Sequence, residues 1–268
     1  MSNTCLSTYV ARHLRACQLK QLSILEELDR ICKKHDISYW LDGGSLLGAV
    51  RHGGFIPWDD DIDVGMTADD LARFIEIAPS ELPDTLFLQT AASDPSYKSS
   101  VVKIRDRNSL YIEDTDFFQA DYEKGLFIDI FPFVPCPAMP KSWIKRLGHG
   151  VSIAHLILHR VHYYSFRSFA EFFYFGAKYL LYRGLWAVLQ PFFSKKIYIS
   201  NIVVQNWYGI RHRNDAVFPL SEILFEGKTF SAPANPDAYL KDLYRNYMEI
   251  PPENRRKIHA LYLQPELE

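Results

Sequence analysis

Four carboxylates occupy five consecutive positions, Asp59-Asp60-Asp61-Ile62-Asp63, inside a stretch that is otherwise apolar and glycine-rich: YWLDGGSLLGAVRHGGFIPWDDDIDVGM, from Tyr39 to Met66. Carboxylates this close repel and raise one another's pKa unless positive charge lies among them. The ordinary home of such a run is a solvated loop. Trp58, Ile62 and Val64 argue against that here, because a solvated acidic run is not built into an apolar segment. A divalent cation resolves the repulsion, and Mg²⁺ (or Mn²⁺) takes carboxylate and phosphate oxygens together. An EF-hand loop does not account for the run: Gly65 falls one place late, Asp70 stands where the bidentate Glu belongs, and a strand pattern precedes it.

Asp61-Ile62-Asp63-Val64 alternates polar and apolar, so it reads as the end of a strand with Asp61 and Asp63 on one face. A third acid on a neighbouring strand would complete a metal site. Asp129 is the best candidate, since Phe127, Ile128, Ile130 and Phe131 surround it and a carboxylate in so apolar a strand needs a partner or a function. Gly43-Gly44-Ser45 turns into a short helix over 45–50, and N–H groups at a helix start with a Ser hydroxyl form an anion site. Arg51 follows on the same unit, either as a bidentate phosphate clamp or as a partner of an aspartate. Lys103 and Arg105 alternate on a strand and share a face. They either neutralise a pyrophosphate or pair with Asp106 and solvent.

The remaining pattern places these residues in an α/β chain. Val10, Leu14, Cys17, Ile24, Leu28 and Ile31 keep helical spacing over 8–35. Strands are expected over 37–41, 86–90, 100–105, 109–113 and 126–131, the last stopped by Pro132 and Pro135. Thr67 and Asp70 predict a capped helix to about Ala78. Asn235-Pro236 starts another, running to about Met248, with Pro251-Pro252 closing the ordered part. From Lys141 to Lys196 the text changes: fourteen aromatics, and nine Lys or Arg against one acid. This stretch reads as a helical insert that either covers the site or lies on an anionic membrane face. Its longest uncharged run, Leu147 to His159, is too short to span a bilayer. The expected division is 1–140, 141–200 and 201–268. Net charge of −2 carries no nucleic-acid footprint. Four unpaired cysteines and an N-terminus without an apolar core predict a reduced cytoplasmic setting, with the insert as the segment suited to peripheral contact on the inner membrane face.

The run from Tyr39 to Met66, with KIRDRNS at 103–109, GLFIDIFP at 125–132 and FEGKTFSAP…YLKDLYRNYMEIPP over 225–252, resembles the LicD family, to which the fukutin and fukutin-related proteins are also similar. The resemblance implies a nucleotidyltransferase-like fold, a mixed sheet flanked by helices. It implies a Gly44-Ser45 turn, with Asp61, Asp63 and Asp129 as metal-binding and catalytic acids. It also implies a substrate class: a phospho-alcohol such as phosphocholine, moved from its CDP derivative (CDP-choline or another CDP-alcohol) to a sugar hydroxyl of a glycan acceptor. Lipopolysaccharide and teichoic acid are the acceptors expected of the bacterial branch, which this compact chain resembles. The zinc-binding cysteine set of the fukutin-related proteins is absent. The alternatives are a nucleotidyltransferase acting on a sugar or alcohol phosphate, and an inactive glycan- or membrane-binding relative.

Overall fold

The computed structural model describes residues 4–97, 99–113, 121–159, 165–193, 195, 197–203 and 207–267, so 160–164, 194 and 196 of the expected insert lie outside it. Backbone contacts divide the chain into two compact units, Met1–Pro132 with Ala216–Glu268, and Phe133–Asp215.

The first unit begins with α1 (Thr4–His35), whose apolar positions Val10, Leu14, Cys17, Ile24, Leu28 and Ile31 are all buried. Burial pushes the Cys17 thiol up to about 12, so it acts as a small apolar side chain. Lys33, Lys34 and His35 in the last turn suit the negative end of the helix. Next come β1 (Tyr39–Leu41), α2 (Gly43–His52), β2 (Asp63–Thr67) and α3 (Ala68–Glu81). Thr67 caps α3 by accepting from the Asp70 N–H at 3.1 Å. The helix runs past Ala78, with Pro79 in its last turn. Strands β3 (Leu86–Gln89), β4 (Val102–Asp106) and β5 (Leu110–Glu113) follow, and then β6 (Phe127–Cys136).

The sheet of this unit has the order β1-β2-β6-β4-β3. Strands β1 and β2 are antiparallel with Trp40 opposite Gly65; β4 is antiparallel to β3 and to β6, with Lys103 opposite Asp129. Gly65 is required there: a Cβ would lie 2.5 Å from the buried Trp40 ring.

Two expectations about strands are corrected. β6 does not stop at Pro132 or Pro135. Pairing with β4 ends at Ile130 and pairing with β7 begins at Phe133, so Pro132 falls between those two ladders, where they ask no hydrogen bond of it. And β2 begins only at Asp63, so Asp61 lies in the segment before it.

The second unit holds α4 (Lys141–His159), α5 (Phe166–Leu189), β7 (Tyr198–Val203) and β8 (Trp207–Arg213). The end of β6, β7 and β8 form an antiparallel ladder. Cys136, Met139, Ile144, Leu147 and Trp186 make the core of this unit. Helix α5 fully buries only Trp186. No helix among the described residues is long and apolar enough to cross a membrane.

The chain re-enters the first unit through α6 (Asn214–Val217), then β9 (Ser221–Phe225) and β10 (Lys228–Ala232), a hairpin turned by Glu226 and Gly227, both at positive φ. Helix α7 (Pro236–Tyr244) is capped by Asn235 and stops short of Met248, at Arg245 with φ 56°. The order does not end at Pro252: β11 (Ala260–Gln264) pairs antiparallel with β5 and packs beside α1. Val10, Leu14, Cys17, Tyr111, Leu126, Phe127 and Leu263 share one cluster there.

Candidate active site

Helix α2 starts at Gly43, two residues earlier than the sequence reading, because Asp42 is its N-cap. Asp42 is buried; its Oδ1 accepts from the Gly43 N–H at 2.7 Å and from the Tyr239 hydroxyl at 2.8 Å. The Trp40 indole N–H donates to the same hydroxyl at 3.2 Å. Burial raises the Asp42 carboxyl, and these donors hold it down. The two glycines make room for acids. A Cβ on Gly43, itself at φ 49°, would sit 2.5 Å from Asp63 Oδ2, and one on Gly44 would sit 2.5 Å from Asp59 Oδ2. Two carboxylates therefore lie against the N-terminal turn of α2, whose unpaired N–H groups favour negative charge.

The acidic segment is irregular but held at both ends. The Asp63 N–H donates to Ser45 Oγ at 2.9 Å, and the Asp42 N–H to the Asp63 carbonyl at 3.0 Å. The Asp129 N–H donates to the Ile62 carbonyl at 2.8 Å, which sets β6 beside the segment. From α1, the buried amides of Gln18 and Gln21 donate to the carbonyls of Asp59 and Asp60, each at 2.8 Å.

Asp60 differs from its neighbours. It is buried, and its Oδ2 accepts from the Tyr111 hydroxyl at 2.9 Å and from the backbone N–H groups of His259 and Ala260 at 2.9 and 2.6 Å. His259 Nδ1 lies 3.2 Å from Asp60 Oδ1 and 3.6 Å from Asp61 Oδ2. The hydrogen bond to Asp60 pushes the imidazole up to about 9, so it stands protonated among the acids at neutral pH. Sequence reasoning missed His259, which follows the prolines taken as the end of the ordered chain.

Asp59, Asp61, Asp63 and Asp129 make the cluster proper. Burial, then Asp59, Asp60 and Asp129, push Asp61 up to about 8. Burial, then Asp61, Asp129, Asp42 and Asp59, raise Asp63 well above the ordinary range. Burial and Asp60 push Asp59 up to about 6. Asp59, Asp61 and Asp63, raised in this way, are hard oxygen donors short of positive charge, and with Asp129 beside them they fit Mg²⁺ or Mn²⁺. Asp60, Asp61 and His259 also bring one ligand atom each within 4.8 Å of the others. Asp60 fits that role less well, since three N–H and O–H donors already hold its Oδ2.

The basic residues part company. Lys103 Nζ lies 2.7 Å from Asp129 Oδ1, a close ion pair without hydrogen-bond geometry, and 3.3 Å from the centre of the Phe127 ring. Arg105 is buried; its Nε donates to Gln89 Oε1 at 2.5 Å and its Nη1 to the Gly125 carbonyl at 2.7 Å. Those donors are committed to the protein, so the pyrophosphate role expected of Arg105 gives way to a structural one, and neither residue takes the expected pairing with Asp106. Arg51 Nη1 donates to the Tyr247 and Glu249 carbonyls at 2.7 and 3.2 Å, while Nη2 has no hydrogen-bond partner among the described residues. Burial lowers the Arg51 guanidinium, and the nearby Asp59 offsets part of that. Trp58 carries the Arg256 guanidinium 4.2 Å over its ring.

A family model described as LicD/FKTN/FKRP, nucleotidyltransferase domain, matches residues 36–187. The chain belongs to the LicD family. Over 92% of its length it is 28% identical to the lipopolysaccharide cholinephosphotransferase LicD of Haemophilus influenzae, covering 96% of that protein. It is 35% identical over 101 residues to the human ribitol 5-phosphate transferase FKRP, covering 17% of that protein, and the mouse FKRP matches equally. The match of this LicD-family chain to the family domain takes in α2, the acidic segment and Asp129. It stops short of His259 and Tyr239, which close the site from the C-terminal segment.

Proposed function

We propose that the chain is a phosphotransferase that moves phosphocholine, or a related phospho-alcohol, from a CDP-alcohol to a hydroxyl of a cell-surface glycan and releases CMP. The observation that carries the reading is the clustering of Asp59, Asp61, Asp63 and Asp129, the first three raised by burial and neighbouring carboxylates, with Asp59 and Asp63 against the N-terminal turn of α2. The similarity to the lipopolysaccharide cholinephosphotransferase LicD of Haemophilus influenzae supports the choice of head group and acceptor. Teichoic-acid glycans are the other acceptor class.

Asp61, Asp63 and Asp129 would hold Mg²⁺ or Mn²⁺, which when bound supplies charge neutralisation for the donor pyrophosphate. The protein's own groups do the rest. The Gly43 N–H is taken by Asp42, which leaves those of Gly44 and Ser45 for phosphate oxygens. Ser45 Oγ already accepts from Asp63, and its own proton remains to donate. Arg51 reaches a phosphate oxygen through Nη2. Lys103 steadies Asp129 rather than meeting the pyrophosphate. A carboxylate, Asp59 or Asp129, accepts the proton of the attacking hydroxyl; Asp59, pushed up to about 6, has a proton affinity suited to a base near neutrality. The acceptor oxygen forms the new bond to the phosphorus bearing the alcohol, and the bond to CMP breaks in line with it.

The test is incubation with Mg²⁺, a panel of CDP-alcohols and glycan acceptors, followed by product analysis. CMP with phosphorylated glycan is expected, and Asp63→Asn is expected to abolish both. Pyrophosphate release would assign a nucleotidyltransferase instead. Full turnover in EDTA would remove the metal from the reading.

A further inference from the structure

Helix α5 is apolar on both its inner and its outer side. At 100° per residue, Ser168, Phe175, Tyr179, Tyr182 and Trp186 fall on the side that packs within the second unit, where Tyr182 meets Gly150 of α4. The opposite arc presents Phe166, Phe169, Phe173, Leu180, Leu181 and Val188, with only glycine and alanine between them, and no polar side chain. These six are 58–89% exposed. The arc runs the full 24-residue helix, about 36 Å. A water-facing helix normally shows the reverse pattern, and soluble surfaces rarely carry an apolar patch of this length.

The charges beside the arc say what covers it. Arg167 and Arg183 flank it on its two sides, and Lys145 and Arg146 are exposed on α4. Across Lys141–Lys196 there are nine Lys or Arg and a single acid, Glu171, which is paired to Arg167 at 3.0 Å. A second copy of this chain would bring like charges together along the same face. An anionic lipid surface gains from each basic residue as the apolar arc sinks into the headgroup boundary.

We infer that the outer face of α5 is a membrane-docking surface that lies in the interface of an anionic phospholipid bilayer, held by Phe166, Phe169, Phe173, Leu180, Leu181 and Val188 with Arg167 and Arg183 at its margins. This inference rests on α5 alone and is independent of the activity proposed above.

The experiment is co-sedimentation of the full chain with phosphatidylcholine vesicles, with and without about 30 mol % phosphatidylglycerol, the lipid that supplies the anionic surface. Wild type is expected to bind the anionic vesicles and to release in high salt. The triple variant F169S/F173S/L180S, at three exposed positions, is expected to lose at least about tenfold in partitioning with an unchanged circular dichroism spectrum. R167Q and R183Q are each expected to lose about fivefold, the worth of one basic residue near such a surface. Absence of wild-type binding to anionic vesicles, or equal partitioning of the triple variant, would overturn the inference. So would a wild-type dimer in sedimentation velocity that the triple variant breaks, which would assign the face to a second copy.

Discussion

Asp61→Asn separates what stabilises this site from what makes it work. In the metal-free protein, burial and three neighbouring carboxylates push Asp61 from 3.8 to about 8. A carboxyl raised on folding contributes stability that is complete below the unfolded value of 3.8 and is lost as pH rises to about 8. At pH 7 the native group must hold a proton that the unfolded chain has given up. That gap of about three pH units corresponds to about 4 kcal/mol at 1.36 kcal/mol per unit. The amide cannot ionise and escapes the penalty. Some of the gain is lost with the contact to His259, which leaves about 2–4 kcal/mol in favour of the variant. At about 2–4 °C per kcal/mol for a chain of this size, the melting temperature in EDTA at pH 7–8 is expected to rise by about 5–10 °C. At pH 5 the advantage shrinks to under about 2 kcal/mol, because the unfolded carboxyl is then only about one pH unit past its titration. Activity runs the other way: transfer is lost, and so is the melting shift that Mg²⁺ gives wild type. Metal binding to wild type near pH 6 is expected to release protons, measurable by calorimetry in buffers of different ionisation enthalpy, with less release above pH 8. An Asp61→Asn protein that is less stable than wild type in EDTA at pH 8, or that keeps the full Mg²⁺ response, would refute the argument.

Gly43→Ala places a side chain at φ 49° and 2.5 Å from Asp63 Oδ2, and is expected to lower stability by about 1–2 kcal/mol from the backbone alone and to abolish CMP release. Gly53→Ala, at φ 71° with open space around it, is the control that loses similar stability and keeps activity. Asp60→Ala strips the acceptor from the Tyr111 hydroxyl and from the His259 and Ala260 N–H groups; a loss of about 3 kcal/mol or more in urea unfolding is expected, with new proteolytic cleavage between 252 and 260. His212 is buried and lowered to about 3, so the second unit is expected to keep its stability above pH 6.5 and lose it as pH falls toward 3. His212→Gln should flatten that slope, read by tryptophan fluorescence.

The elements that repeat a local pattern were legible in the sequence. The spacing of Val10, Leu14, Cys17, Ile24, Leu28 and Ile31 predicts α1, and each of these side chains is buried. Thr67 with Asp70 marks the start of α3, and the apolar run around Asp129 marks β6. What went unread depends on contacts made elsewhere in the chain. Proline reads as a strand breaker, yet β6 continues past Pro132 because it changes partners there. Asp42 before Gly43 was a usable cap signal, and taking it would have started α2 two residues sooner. His259 has no local signal at all. It reaches Asp60 across 199 residues, and only the pairing of β11 with β5 brings it there. Arg105 read as a candidate phosphate ligand because alternation gives a face, not the identity of what lies on it.

The four clustered aspartates divide by parity. Asp59 and Asp63 lie against the first turn of α2 and Asp61 lies near Asp129 and His259, while Asp60 Oδ2 is spent on Tyr111 and the backbone of His259 and Ala260. Even residues and odd residues of one short segment thus do opposite work: one set accumulates charge the fold does not neutralise, and the other ties the segment down so that the accumulation can be borne. Among the described residues the cations at hand are fewer than the acids. Arg51, Lys103 and His259 face Asp42, Asp59, Asp60, Asp61, Asp63 and Asp129, and protons make up the shortfall in the metal-free protein. A bound divalent ion would replace those protons, and a donor pyrophosphate would bring further negative charge to the same place. On the proposed function, a cation and a phosphate arriving together would offset the charge gathered on this segment, which Gln18, Gln21, Tyr111 and the backbone of β11 clamp in place.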